Sequence, residues 1–324
     1  DKLPRYGASA QIVALAQTDP RLSGASHCQR SEIGGVARLA GLARSIVQGV
    51  GVHNGSVRTM AAAAAVGDLK LDPTTPLCTD KIRSKVAAGK IPIVVIACGS
   101  YSPPTLMHLR ILEDARDSIN MSGKYEVVGA YTSPTHDAYG KQTLAPAYHR
   151  INMLKAALKD SEWINVDTWE CAQKGWTRTA VVLTERFAKA VNELEIAIGD
   201  TAPQKGVAKI MFFCGADLLE SFTRIKDDGS PLWGFEDQEM ILSNGMVVAR
   251  REGVDLDYLI DIVPRMTKHR GSILPFSPIV QNNISSTIVR RLLVKGQSIK
   301  YLTPEGARKY IYEHNLKDLP MWQL

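Results

Sequence analysis

Six short runs, at 91–98, 126–131, 163–167, 209–214, 246–249 and 273–276, are apolar and rich in β-branched residues. They are apolar at most positions rather than at every second one, the pattern of strands covered on both faces. Helical patterns fill most of the gaps. The segment 105–120 carries Leu109, Leu112, Ala115 and Ile119 on one face, and 146–159 reads the same way. Strands alternating with helices imply a parallel, doubly wound α/β sheet. No internal repeat interrupts it, and 188–208 and Thr223–Pro231 are expected as surface excursions.

The body is expected to be the catalytic domain 91–324, preceded by a leader and linker over 1–90. Charge separates the two. Of 39 basic and 33 acidic residues, the first 90 hold twelve and six, so the remainder is neutral. The overall surplus of +6 is therefore no argument that the body binds nucleic acid or a membrane surface. The leader is rich in Ala, Gly, Ser and Arg, and reads as a poorly ordered segment, an organelle import signal, or upstream sequence joined ahead of Met60. Residues 60–90 read as a linker ending in a short basic helix. Five scattered cysteines without a C-x-x-C pair fit an intracellular protein, cytoplasmic or nuclear. Cys98 and Cys214 are expected as small buried hydrophobes. No apolar run reaches the roughly 18 residues of a membrane span.

Two segments carry chemistry. Residues 93–110 run from a strand through Gly99-Ser100 and Pro103-Pro104 into a helix capped by Thr105, with His108 in its first turn. Residues 283–290 give a capped helix start, Ser285-Ser286-Thr287, with Arg290 close behind. Free amides at a helix start hold phosphate oxygens. An arginine near that positive end is unfavourable unless an anion is bound there. Taken singly, the first segment is equally a packing unit with an incidental histidine, and the second a solvated basic helix. Neither is the G-x-G-x-x-G of a dehydrogenase nor a P-loop.

Together the segments resemble the eukaryotic nicotinamide/nicotinate mononucleotide adenylyltransferases of the nucleotidylyltransferase superfamily. That superfamily's (H/T)-x-x-H stands here as Thr105-Leu-Met-His108, and its I-S-S-T-x-x-R as Ile284 to Arg290. Between and beyond them lie, in order, blocks at Ser133-Pro134, Asp137–Lys141, Ala145–Arg150, Val166–Glu170, Gly215–Phe222, Leu232-Trp233, Arg251–Gly253 and Gly296–Leu302. The resemblance covers about 91–316 and implies a Rossmann-like sheet of the nucleotidylyltransferase type. It also implies roles. His108 and Arg290 would be catalytic. Gly99, Ser100, Tyr101, His108, Gly215, Asp217, Leu232, Trp233, Arg251, Asn282, Thr287, Ile288, Val289 and Arg290 would bind ATP and the dinucleotide. Ser100, Lys141, Trp169, Trp176 and Thr179 would bind the mononucleotide. Three departures stand out: Ile288 and Gly140 replace frequent lysines, and Thr223–Pro231 lengthens the loop before Leu232.

The side chains agree in part with these roles. Trp176 lies in a polar stretch, odd for a core residue, and an indole face suits a pyridinium ring. Trp169 directly follows a strand and can simply pack. Asp217 suits a ribose or a helix cap. The implied partners are ATP, nicotinamide mononucleotide and nicotinate mononucleotide, with Mg²⁺ carried in by ATP and no dedicated metal site. Self-association into a homo-oligomer is left open, as is the amide-versus-acid preference. The rivals are a pantetheine-phosphate adenylyltransferase, a cytidylyltransferase, or a nucleotide-binding chaperone.

Overall fold

The computed structural model describes residues 71–323. The expectations for 1–70, including the poorly ordered leader, its import signal and Cys28, fall outside the described residues. Each expected apolar run is a strand: β1 (Ile91–Gly99), β2 (Tyr125–Pro134), β3 (Ile164–Val166), β4 (Lys209–Gly215), β5 (Met246–Ala249) and β6 (Ile273–Phe276). They form one six-stranded parallel sheet in the order β3-β2-β1-β4-β5-β6. The order reverses at β1, so the crevice outside the carboxyl ends of β1 and β4 is the place for a ligand.

Both faces of the sheet are covered, as the run composition requires. Along β1, Ile93, Val95 and Ala97 enter one core while Val94 and Ile96 enter the other. The first core takes Leu112, Ala115 and Ile119 from α1 (Leu106–Met121) and Leu154 from α2 (Ala147–Ala157). The second takes Ile241 and Leu242 from α3 (Phe235–Asn244) and Leu256, Leu259 and Ile260 from α4 (Leu256–Ile262). It also takes Phe187 from the helical run 179–192, whose middle, Val182–Ala188, is π-helical. A fully buried Ile, Leu or Phe contributes about 1.5–3 kcal/mol, so these two layers carry most of the fold's stability.

A third cluster positions the site. The far side of α2 packs against α5 (Ser286–Val294) and α6 (Glu305–Glu313) through Met153, Val289, Leu293, Ala307 and Ile311. The crossing is close at Gly306, where any Cβ would collide with the Ala156 carbonyl.

Three expectations change. Residues 81–90 form no helix: Lys85–Val86 pairs in parallel with Ala197–Ile198, and the Arg83 amide donates to the Val128 carbonyl (2.8 Å). Val86 is buried, Ile82 packs on the core, and the Lys81 ammonium donates to the Leu158 carbonyl (2.8 Å). The packed body therefore starts upstream of residue 91, and 71–90 is not a linker. The excursion 188–208 is partly core, since Val191, Ile196, Ala197 and Ala208 are buried. By contrast, Thr223–Pro231 is an exposed hairpin closed by the Ile225–Pro231 bridge and a Lys226 amide bond to the Ser230 carbonyl (2.8 Å). Cys214 is buried as expected, and Cys98 partly so. No helix among the described residues is long and apolar enough to cross a membrane.

Candidate active site

At the end of β1 the chain turns sharply, with Tyr101 in the left-handed region (φ 47°). Its ring is buried against the His108 ring (5.3 Å between centroids), and its hydroxyl donates to the Ala97 carbonyl (2.9 Å). Tyr101 thus shapes the turn with its side chain and offers a ligand only backbone. Thr105 caps α1, as its sequence position implies, and its amide donates to Nδ1 of His108 (3.0 Å). A nitrogen that accepts an N–H carries no proton of its own, so the neutral ring holds its proton on Nε2. Burial, with the Lys141 ammonium second, pushes the His108 pKa down to about 4. Near neutral pH, His108 is therefore an uncharged donor rather than a cation.

The start of α5 is stitched onto this turn. Ser285 caps it, and the Ser286 hydroxyl donates to the Pro103 carbonyl (2.7 Å). Arg290 donates to the Ser102 carbonyl (2.7 Å) and to the Thr287 hydroxyl (3.2 Å). The Thr303 hydroxyl reaches the Pro104 carbonyl (2.7 Å), and the Leu106 amide reaches the Leu302 carbonyl (3.0 Å). Arg290 is only 6% exposed, and among the described residues it has no carboxylate partner. Burial lowers its pKa, yet a guanidinium stays charged. Lys141 feels that charge: burial and then Arg290 lower its pKa, while Lys141 in turn lowers that of His108. Imidazole, ammonium and guanidinium therefore stand near enough for each charge to act on its neighbour.

Residues 287–289 divide. Among the described residues the Ser286 and Thr287 amides, in the first turn of α5, donate to no protein group. The Ile288 amide is held by the Ser285 hydroxyl (3.4 Å) and the Val289 amide by the Ser285 carbonyl (3.1 Å). Val289 is fully buried in the third cluster, where its side chain packs the helix.

On the other flank, Trp176 is 50% exposed, and the equally exposed Tyr139 ring stands 6.2 Å away. Thr179 opens the helical run beside them. Trp169 is half-buried against the second core, so its packing alternative accounts for much of the ring. Toward β4 and β5, a cleft of about 960 Å³ is lined by Gly215, Asp217, Arg251, Asn282, Ser285 and Met107, among others. Asp217 and Arg251 form an ion pair across it. Leu232 and Trp233 do not line this cleft. Trp233 is committed to the core by its contact with Phe222 (5.2 Å) and its N–H bond to the Ser221 hydroxyl (2.9 Å), and Leu232 extends the exposed hairpin through its amide bond to the Arg224 carbonyl (2.8 Å).

A cytidylyltransferase-like family model matches residues 96–292. The nicotinamide/nicotinic acid mononucleotide adenylyltransferase 1 of Bos taurus is 40% identical over 256 residues, covering 70% of this chain and 89% of its own. Enzyme 2 of the same name from Saccharomyces cerevisiae is 41% identical over 230 residues, covering 70% of this chain; the chain spans 56% of that longer relative. The chain belongs to the nicotinamide/nicotinic acid mononucleotide adenylyltransferases. Membership carries the class with it: a nucleotidyltransferase of NAD biosynthesis. A solved Plasmodium falciparum nicotinic acid mononucleotide adenylyltransferase, complexed with NaAD, matches with a TM-score of 0.50 over 71% of this chain and 99% of its own. At 19% identity that likeness concerns the fold alone.

Two buried charges of this adenylyltransferase escaped the sequence reading. Arg150 is 0% exposed and donates to the carbonyls of Ser100, Thr135 and Ala145 and to the Asp137 carboxylate. Glu170 is buried and accepts from the Ser133 hydroxyl (2.8 Å), and burial pushes its pKa up to about 7. An arginine inside a helix pattern and a glutamate after a tryptophan look like surface residues. Only the three loops that close over them make them otherwise. Among the described residues, no group of three or more His, Cys, Asp or Glu could hold a metal ion.

Proposed function

We propose that the crevice joins ATP to a pyridine mononucleotide as follows. The mononucleotide 5′-phosphate attacks the α-phosphorus of ATP; a new P–O bond forms, the bond to the bridging oxygen breaks, and pyrophosphate leaves with the electron pair. The product is NAD⁺, or its nicotinate analogue where the acid is used. A phosphate dianion is already a competent nucleophile, so alignment and charge stabilisation do the catalytic work. Arg290, the Nε2–H of His108 and the first amides of α5 would meet the growing charge on the triphosphate. Lys141 would hold the mononucleotide phosphate, with Trp176 against the pyridine ring and Thr179 at its substituent. Gly215, Asp217, Arg251 and Asn282 would hold the adenosine in the deep cleft. Mg²⁺ would enter as part of the ATP substrate.

The observation that carries this reading is Arg290: a buried cation that has no carboxylate partner among the described residues, bonded to the turn that leads to His108. A protein interior keeps such a charge unpaired only at a cost, which a bound polyanion offsets. The test is incubation of the purified chain with ATP, Mg²⁺ and each mononucleotide, followed by chromatography. Dinucleotide and pyrophosphate in equal amounts are expected. ATP consumed without dinucleotide would overturn the reading.

A further inference from the structure

The segment 136–145 has an exposed middle, Asp137 to Gln142, and ends that are tied down. Its tip presents Tyr139, which stands 6.2 Å from Trp176, and Lys141, which follows Gly140 at φ 79°. At the far end, the Ser102 hydroxyl donates to the Thr143 carbonyl (3.1 Å) and accepts from the Ala145 amide (2.9 Å). At the near end, one oxygen of Asp137 accepts from Arg150 (2.7 Å) and the other from the Ala147 amide at the start of α2 (3.1 Å). Arg150 also holds the Thr135 carbonyl (2.7 Å) before the segment, the Ala145 carbonyl (2.7 Å) at its end, and the Ser100 carbonyl (3.2 Å) in the turn after β1.

One guanidinium therefore fixes both ends of the loop and refers them to the turn after β1. Asp137 is half-exposed, and neither residue has a place in the ATP cleft. The arrangement is asymmetric: it constrains the Tyr139–Lys141 tip and leaves Asp217, Arg251 and Asn282 alone.

We propose that Asp137 and Arg150 are positioning residues, a latch that sets the Tyr139–Lys141 tip and so governs affinity for the mononucleotide independently of ATP. The proposal rests on the adenylyl-transfer reading above. Holding a reacting group in place is worth far more than the bond that holds it, because small misplacements near reacting atoms cost large factors in rate.

The test compares the wild-type chain with Asp137→Ala and Arg150→Lys. Initial rates are measured against each substrate at saturation of the other, with thermal unfolding alongside. Asp137→Ala should raise the mononucleotide KM roughly tenfold and move the ATP KM less than about twofold, while Tm falls because the buried Arg150 guanidinium loses its carboxylate. Arg150→Lys should raise the mononucleotide KM more strongly and also move the ATP KM, because an ammonium cannot serve all four acceptors and one of them, the Ser100 carbonyl, lies in the turn after β1. If Arg150→Lys fails to fold, Asp137→Ala decides the matter. An unchanged mononucleotide KM in Asp137→Ala, or an equal rise in both constants, overturns the latch. A wild-type chain that makes no dinucleotide instead defeats the parent reading, so the two failures are distinct.

Discussion

The two flanks of the crevice are built on opposite terms. On the side proposed for the triphosphate the charged group is buried and three short hydrogen bonds support it: Arg290 to the Ser102 carbonyl, Ser286 to Pro103, Thr303 to Pro104, each at 2.7 Å. On the side proposed for the mononucleotide Trp176 and Tyr139 are half in solvent, and Lys141 rides on an anchored loop with an exposed tip. Charge recognition gains from low dielectric and from rotamers fixed beforehand, so it is worth burying. A flat ring is recognised by faces, which lose little to water, so exposed aromatics suffice.

If that contrast holds, damage to the buried side should strike turnover and damage to the exposed side should strike affinity. Arg290→Ala should lower kcat roughly a thousandfold, in the range of an arginine that meets phosphoryl charge. The same change leaves the Ser102 carbonyl without its donor, costing about 1–3 kcal/mol of stability. Steady-state kinetics and a thermal melt read both, and a kcat loss below tenfold would break the comparison. His108→Ala should cost about a hundredfold or more in kcat with folding intact. Near-normal turnover in the purified variant would remove His108 from the chemistry. Trp176→Ala should leave kcat near wild type and raise the mononucleotide KM by about 0.5–2 kcal/mol equivalent, roughly tenfold, while sparing ATP. An unaltered KM would mean that the ring packs elsewhere.

The smallest effect is on stability against pH, where the flanks oppose each other. Burial drops His108 to about 4, and burial with His314 nearby drops His149 to about 4. Their folded-state values lie below the ordinary imidazole value near 6.5, so the unfolded chain binds more protons and stability is lost as pH falls from about 6.5 toward 4. Glu170 is raised to about 7, so its contribution runs the other way: it is present below about 4.5 and lost as pH rises through 7. Two histidines against one glutamate give net stabilisation as pH rises from about 4.5 to 6.5. Urea unfolding at several pH values should show that rise, and Glu170→Gln should steepen it. A variant slope equal to wild type would mean that Glu170 ionises normally.

Much of the frame was legible in the chain because strands covered on both faces must be apolar at nearly every position, and all six runs were. Arg290 was legible through a mismatch, a cation placed at the positive end of a helix. The basic segment before β1 was misread for a physical reason. Ile82, Ser84 and Val86 alternate with Lys81, Arg83 and Lys85, a period of two, and its partners Val128, Leu158 and Ala197 are distant in sequence. Trp233 and Val289 were placed in the site by resemblance; Trp233 is partly buried against the second core and the Val289 side chain lies in the third cluster, packing that the sequence did not show. Arg150 and Glu170 were named only as the ends of two blocks and given no role, because what makes them special is carbonyls, hydroxyls and burial supplied by other loops.

The bonds from Ser286 to Pro103 and from Thr303 to Pro104 join residues 183 and 199 positions apart. A ribosome that has released the whole sheet through β6 has still not produced a working catalyst. The Arg290 guanidinium proposed for the phosphate grip is made after all six strands, so its bond to the Ser102 carbonyl closes a loop of 188 positions. A fragment ending before Ser286 would lack both the proposed phosphate grip and the packing partners of α2, so binding competence and the third cluster would emerge together, after the sheet.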